Sequence, residues 1–217
     1  MSVLCYTPRL IVEVNVKQNS NLICSIGFND KKYPTKIKGK HTDEYTVWQN
    51  MLARCTKRCW DKYPTYIGTS CSENFKSYSY FYEWYQTQPN ANNKDEDGNK
   101  WCLDKDLLFK GNKLYSEDTC IFIPQRINAL LTKSNAIRGK HPIGVSWKKQ
   151  SEMYSARCKI GRDKRVNIGY FNTPETAFLA YKTFKEQLIK DVANNYKEQL
   201  DSRAYDALMN YSVDIDD

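Results

Sequence analysis

The sequence predicts an α+β chain: a small ββα finger set among aromatic helices, followed by a three-stranded antiparallel sheet packed on a helix. Three observations carry this. Apolar residues recur at helical spacing in residues 45–55 and 75–85. Residues 143–171 alternate with period two between polar turns. Thr173-Pro174-Glu175 then provides an N-cap, a first-turn proline and an acid at the positive end of a helix. With 41% hydrophobic and 27% charged residues in 217, the chain can bury a core and is not a disordered tail. Four segments are expected: an N-terminal hairpin-like stretch (1–40), the finger region (41–132), a basic linker (133–142), and the sheet with a helical extension (143–217).

Residues 1–40 hold two alternating stretches, Leu10–Val16 and Leu22–Phe28, with Gln18–Asn21 as the turn between them. No function is readable there. In 45–55, Val47, Trp48, Met51, Leu52 and Cys55 share one helical face. Phe75, Tyr78, Phe81, Tyr82 and Tyr85 repeat the pattern, and such rings belong to a core rather than to stacking platforms. Pro89–Lys100 lacks large apolar side chains and reads as an exposed loop.

Trp101–Leu108 is a short apolar strand interrupted by Asp104-Lys105-Asp106, and Gly111-Asn112-Lys113 makes a turn. A second extended segment ends at Ile121–Pro124, and Gln125–Leu131 is a short helix carrying Asn128. Strand, turn, strand and helix compose a ββα finger in which Asp104 and Asn128 converge on one cation. Their oxygens suit Mg2+ or Mn2+, which stabilise phosphate charge in phosphodiester cleavage. The competing reading of Asp104-Lys105-Asp106 is a solvated strand end with a salt bridge.

In the sheet, Ile143–Trp147, Met153–Ile160 and Arg165–Phe171 are the strands, with Gly161–Lys164 as a turn. Tyr154, Ala156, Cys158 and Ile160 fall on one face; Met153, Ser155, Arg157 and Lys159 fall on the other. Ala177, Phe178, Tyr181, Phe184 and Leu188 form the buried stripe of the following helix, which continues to Tyr211 before an acidic tail. Residues 133–171 hold ten basic and two acidic residues, which accounts for the whole net charge of +8. Such a block attracts polyanions by counterion release. A helix behind the sheet leaves one face bare, carrying Arg157, Lys159, Arg165 and Asn167. A narrow ribbon of this kind fits the major groove, where arginine reads guanine and asparagine reads adenine. Trp147, Lys148, Lys149, Arg162 and Lys164 complete the expected contacts with double-stranded DNA.

Other chemistries are disfavoured. No Gly-x-x-x-x-Gly-Lys-Ser/Thr loop occurs, so no nucleotide cofactor is expected. Cys55, Cys59 and Cys71, with Cys102 or Cys120, lack paired zinc-site spacing, so no zinc is expected. His41 and His141 read as surface residues. The absence of a secretory signal and of any run of 18 apolar residues leads to the expectation of a cytoplasmic protein with reduced thiols and no membrane partner.

Gly144-Val145-Ser146-Trp147, Tyr154-Ser155-Ala156-Arg157, Ile168-Gly169-Tyr170-Phe171 and Pro174–Tyr181 together resemble the APETALA/ethylene-response-factor-type DNA-binding domain. That resemblance implies readout of duplex DNA by the sheet face, with Arg157, Lys159, Arg165 and the Trp147 strand as contacts. Residues 101–131 are similar to a degenerate HNH (ββα-metal) nuclease finger. By that resemblance Asp104 is the strand metal ligand, Asn112 the loop asparagine and Asn128 the helical ligand, with Lys105 and Asp106 beside them. Lys105 stands where the family has its base histidine. A lysine serves as a base only when burial or nearby cations lower its pKa, and two flanking aspartates oppose that. Lys105 is therefore a base, a phosphate clamp with water as nucleophile, or a structural relic.

The longer arrangement, from Tyr45-x-x-Trp48-x-x-Met51-Leu52-x-Arg54-Cys55 through Pro124-x-x-Ile127-Asn128 into the sheet, resembles phage-encoded homing-endonuclease-like proteins. The implied function is a site-selecting DNA endonuclease or nickase, using Mg2+ or Mn2+ in the cytoplasm of a bacterial host. The alternative is a non-catalytic, repressor-like DNA-binding protein.

Overall fold

A computed structural model describes residues 22–133, 139–161 and 164–215. Its first strands, β1 (Lys36–Ile37) and β2 (Lys40–His41), form a hairpin. Within the described part of the N-terminal segment the hairpin is therefore at 36–41. Residues 22–28 instead make a tight turn closed by an Ile23–Gly27 bridge, because Cys24 and Ser25 adopt left-handed backbone angles. Leu10–Val16 and Gln18–Asn21 lie outside the described residues.

Helix α1 (Asp43–Arg54) starts where Thr42 Oγ1 accepts the Tyr45 N–H, with Asp43 and Glu44 at its positive end. Helix α2 (Lys57–Lys62) is short and buries no residue. Strand β3 (Ser70–Cys71) leads into a single 3-10 turn at Asn74–Lys76, then α3 (Tyr78–Thr87). The helix expected from Phe75 begins three residues later, because Ser77 caps α3 by accepting the Tyr80 N–H. Phe75 is still fully buried, and its carbonyl accepts the Trp48 indole N–H at 2.8 Å. Trp48, Phe75, Tyr78, Phe81 and Tyr85 interlock by edge and tilted ring contacts, so these aromatics are core. In the loop that follows, Asn90 and Ala91 are nevertheless buried, and Tyr85 Oη donates to the Ala91 carbonyl.

Strand β4 (Cys102–Asp104) is followed by β5 (Leu114–Tyr115), β6 (Ile121–Ile123) and α4 (Gln125–Leu131). Strand β4 pairs antiparallel with β6, Asp104 opposite Ile121, and α4 follows directly after Pro124. Two strands and a helix do form a ββα unit. The segment just after the turn does not join it, since β5 pairs in parallel with β3.

The three-stranded antiparallel sheet is β7 (Val145–Lys148), β8 (Met153–Lys159) and β9 (Arg165–Phe171), in that order. Helix α5 (Pro174–Asn195) starts at Thr173, whose Oγ1 accepts the Thr176 N–H, and α6 (Ser202–Met209) closes the chain. The two packing cores meet inside α5. Ala177, Phe178 and Tyr181 join Ala156 and Cys158 in a small core behind the sheet. Ile189, Val192 and Ala193, with Ala204 and Leu208 of α6, belong to the large aromatic core. No helix among the described residues is long and apolar enough to cross a membrane.

Candidate functional site

The finger is organised by one loop. Asp104 ends β4, and its Oδ1 accepts the N–H groups of Asp106 (2.9 Å) and Leu107 (2.7 Å), which turns the chain sharply. Asp104 is only 8% exposed. Burial, and then the Asp106 charge, push its pKa up to about 6, against the pull of those two N–H donors and the Lys105 ammonium. The Lys105 Nζ donates to the Asn112 carbonyl (2.9 Å), pairs with Asp106 (3.2 Å) and lies over the Tyr115 ring. Asn112 closes the loop from the other side: its Nδ2 donates to the Lys105 and Leu114 carbonyls, and its Oδ1 accepts the Leu114 N–H. The loop thus gathers Asp104, Lys105, Asp106 and Asn112. Asn128 lies on α4, outside this loop, with its N–H donating to the Pro124 carbonyl at 3.1 Å.

This geometry narrows the role of Lys105. Its ammonium is tied inward as a strut of the loop, which suits a structural residue better than a base. Arg54, part of the extended pattern above but given no role there, is the last residue of α1. Its guanidinium donates to Tyr115 Oη, stacks over Tyr66 and places a positive charge near Cys102.

Among the described residues, no group of three or more His, Cys, Asp or Glu side chains is arranged to hold a metal. The donors that could take part are the Asp104 carboxyl and the Asn128 amide oxygen. Mg2+ keeps several waters and needs only one or two carboxylates. Asp104 is a buried carboxyl that a cation would hold ionised. Oxygen donors of this chemistry are of the kind that Mg2+ and Mn2+ take. Among the described residues the cysteines are free thiols; Cys55 donates to the Met51 carbonyl, and burial pushes the Cys120 thiol up to about 12.

The second feature is the sheet face turned away from α5. Arg157 stands opposite Asn167, and Lys159 opposite Arg165. All four are exposed. Arg157 Nη2 donates to Ser146 Oγ, and the buried Ser155 hydroxyl donates to Asn167 Oδ1. These contacts hold the row together from beneath. Lys148 lies opposite Met153 on the same face, while Lys149 and Lys164 are exposed at the two turns. Arg162 lies outside the described residues.

Trp147 stands opposite Tyr154, meets its ring 4.8 Å away and is 44% exposed. With Lys148, Lys149, Met153 and Tyr170 it lines an open cavity. Tyr170 is on the open face. The register shifts between Ala156 and Arg157, so Ala156 pairs Gly169 while Arg157 pairs Asn167, leaving Ile168 as the extra residue of a bulge. Strict alternation from Arg165 puts Gly169 on the open face; the bulge puts Tyr170 there, opposite Ser155 and half-exposed. His41 stacks on Tyr45, and His141 meets Tyr154 edge-on.

Compared with protein-family models, with characterised proteins and with solved structures, the chain matches none.

Proposed function

We propose that this chain is a site-selecting endonuclease or nickase of double-stranded DNA, in which an APETALA-type sheet grips the duplex and an HNH-like finger hydrolyses a phosphodiester with Mg2+ or Mn2+. The observation that carries the reading is the solvent-exposed cross-strand array of Arg157, Asn167, Lys159 and Arg165. Planar guanidinium and amide groups in adjacent pairs suit base edges in the major groove, while lysines suit phosphates. Lys148, Lys149 and Lys164 extend the positive rim. If Arg157 reads a base, Arg157→Ala weakens specific binding by about 1–3 kcal/mol and relaxes the preference at one base position. Binding titrations on single-base variants of a selected duplex check this, and unchanged affinity would place Arg157 off the interface.

In the finger, Asp104 and Asn128 would hold the ion, which supplies positive charge to the phosphate oxygens. Asn112 and the Lys105 strut fix the loop that presents Asp104. Arg54 carries a further positive charge near Cys102.

A second reading has its own observation. The Lys105 ammonium is committed to Asn112 and Asp106, and this favours a non-catalytic, repressor-like DNA-binding protein that keeps the finger as scaffold. Incubation with supercoiled plasmid separates the two. The endonuclease reading expects nicked or linear product with Mg2+ or Mn2+ and none with a chelator. Duplex binding without cutting in either ion leaves the repressor-like reading.

A further inference from the structure

The hairpin at the head of α1 has no part in either feature above, yet its chemistry points at the same partner. Residues 31–42 contain five lysines and no acid. Lys32 is paired with Glu83, but among the described residues Lys36, Lys38 and Lys40 form no ion pair, and every residue from Lys36 to His41 is exposed. The turn is a tight two-residue one. Lys38 and Gly39 both have left-handed φ, 49° and 77°, as the hairpin twist requires.

The base is firmly anchored. The Thr42 N–H donates to the Thr35 carbonyl at 3.0 Å. The hydroxyl of fully buried Tyr78 donates to the Pro34 carbonyl at 3.1 Å. The His41 ring stacks on Tyr45. A stiff, cationic, two-stranded finger therefore stands off the body. On it sits Ile37, 61% exposed, the most exposed large apolar side chain among the described residues. It lies opposite Lys40.

We infer that β1–β2 is a second DNA-contacting element, with Lys36, Lys38 and Lys40 on backbone phosphates and Ile37 entering the groove as an apolar wedge. A two-stranded ribbon is narrow enough for a DNA groove. Proteins that bend DNA insert single apolar side chains between base steps. A membrane surface fits less well, since one isoleucine offers far less than the broad apolar face of an interfacial anchor. The inference rests on the duplex-DNA reading of the sheet and extends it to the other end of the chain.

The test uses the full chain, a short duplex and vesicles containing phosphatidylserine. Since the hairpin is wholly exposed, its variants keep the native circular dichroism. Lys36→Gln/Lys38→Gln/Lys40→Gln should weaken binding equally on all sequences and flatten the log–log salt dependence by about 1 per lysine. Ile37→Ser should keep the salt dependence and reduce the duplex bend read by energy transfer between its ends. Unchanged affinity and salt slope in the triple variant, while Arg157→Ala weakens binding, overturn the hairpin inference and leave the DNA reading standing. A native chain that binds no duplex at low salt overturns both. Hairpin-dependent vesicle binding with unaltered duplex binding overturns it in favour of a lipid surface, and native bending by Ile37→Ser overturns the wedge.

Discussion

Asp104→Asn should cut cleavage sharply and at the same time make the protein more stable. The amide oxygen can still accept the Asp106 and Leu107 N–H groups, so the turn survives. What disappears is a carboxylate whose pKa stands at about 6, pushed up by burial and by Asp106. The native state holds that proton more tightly than the unfolded chain does. The site thus favours folding most at pH below the ordinary value of 3.8, and the advantage is lost as pH rises through about 6. At neutral pH the ionised Asp104 costs about 1–3 kcal/mol. The variant should recover most of this at pH 7 and nothing near pH 3, as read from denaturant midpoints. Mg2+ should reverse the order, because an ion that binds only the folded carboxylate stabilises the native chain and not the variant. Cleavage should fall by about 10²–10⁴-fold, the value of several kcal/mol of charge stabilisation, with duplex affinity unchanged. Cutting that persists in the variant would remove Asp104 from the site; a variant no more stable at pH 7 would remove the buried-charge argument.

The second large effect is expected at Gly144, just before β7. Its φ is +77°, and a Cβ there would sit 2.1 Å from the Tyr181 ring. Tyr181 cannot yield, since it is 5% exposed and wedged in the small core behind the sheet. Gly144→Ala therefore combines left-handed strain of about 1–2 kcal/mol with overpacking of about 1–3 kcal/mol. The sheet should loosen from α5, and duplex binding should fall with it, although Gly144 contacts no DNA in the proposed mode. Gly39 is the control: its φ is also +77°, but nothing lies within 4 Å of an added Cβ. Gly39→Ala should cost only the strain. Equal midpoints for the two variants would show that Tyr181 does not confine Gly144.

These expectations also mark where the sequence was legible. Strands β7–β9 and the start of α5 were readable because alternation and capping are local signals: Arg157 and Lys159 fall outward, Ala156 and Cys158 inward, and Thr173 caps as its chemistry dictates. The aromatic core was readable from spacing alone. Non-local pairings were not. The two-residue parallel pair of β3 and β5 leaves no periodicity, and a single bulge exchanged Gly169 for Tyr170 on the open face. In the finger, the commitment of Lys105 to the Asn112 carbonyl depends on how a loop closes, and no spacing rule encodes that.

Helix α5 has one consequence for how a bound sequence would relate to a cut. It is a single rod of 22 residues, about 33 Å long, seated at one end on the sheet and at the other in the body that carries the finger. In the proposed nuclease it would act as a ruler: the scissile bond should fall at a constant number of base pairs from the recognised site, and a one-turn change in its length should move the cut rather than blur it.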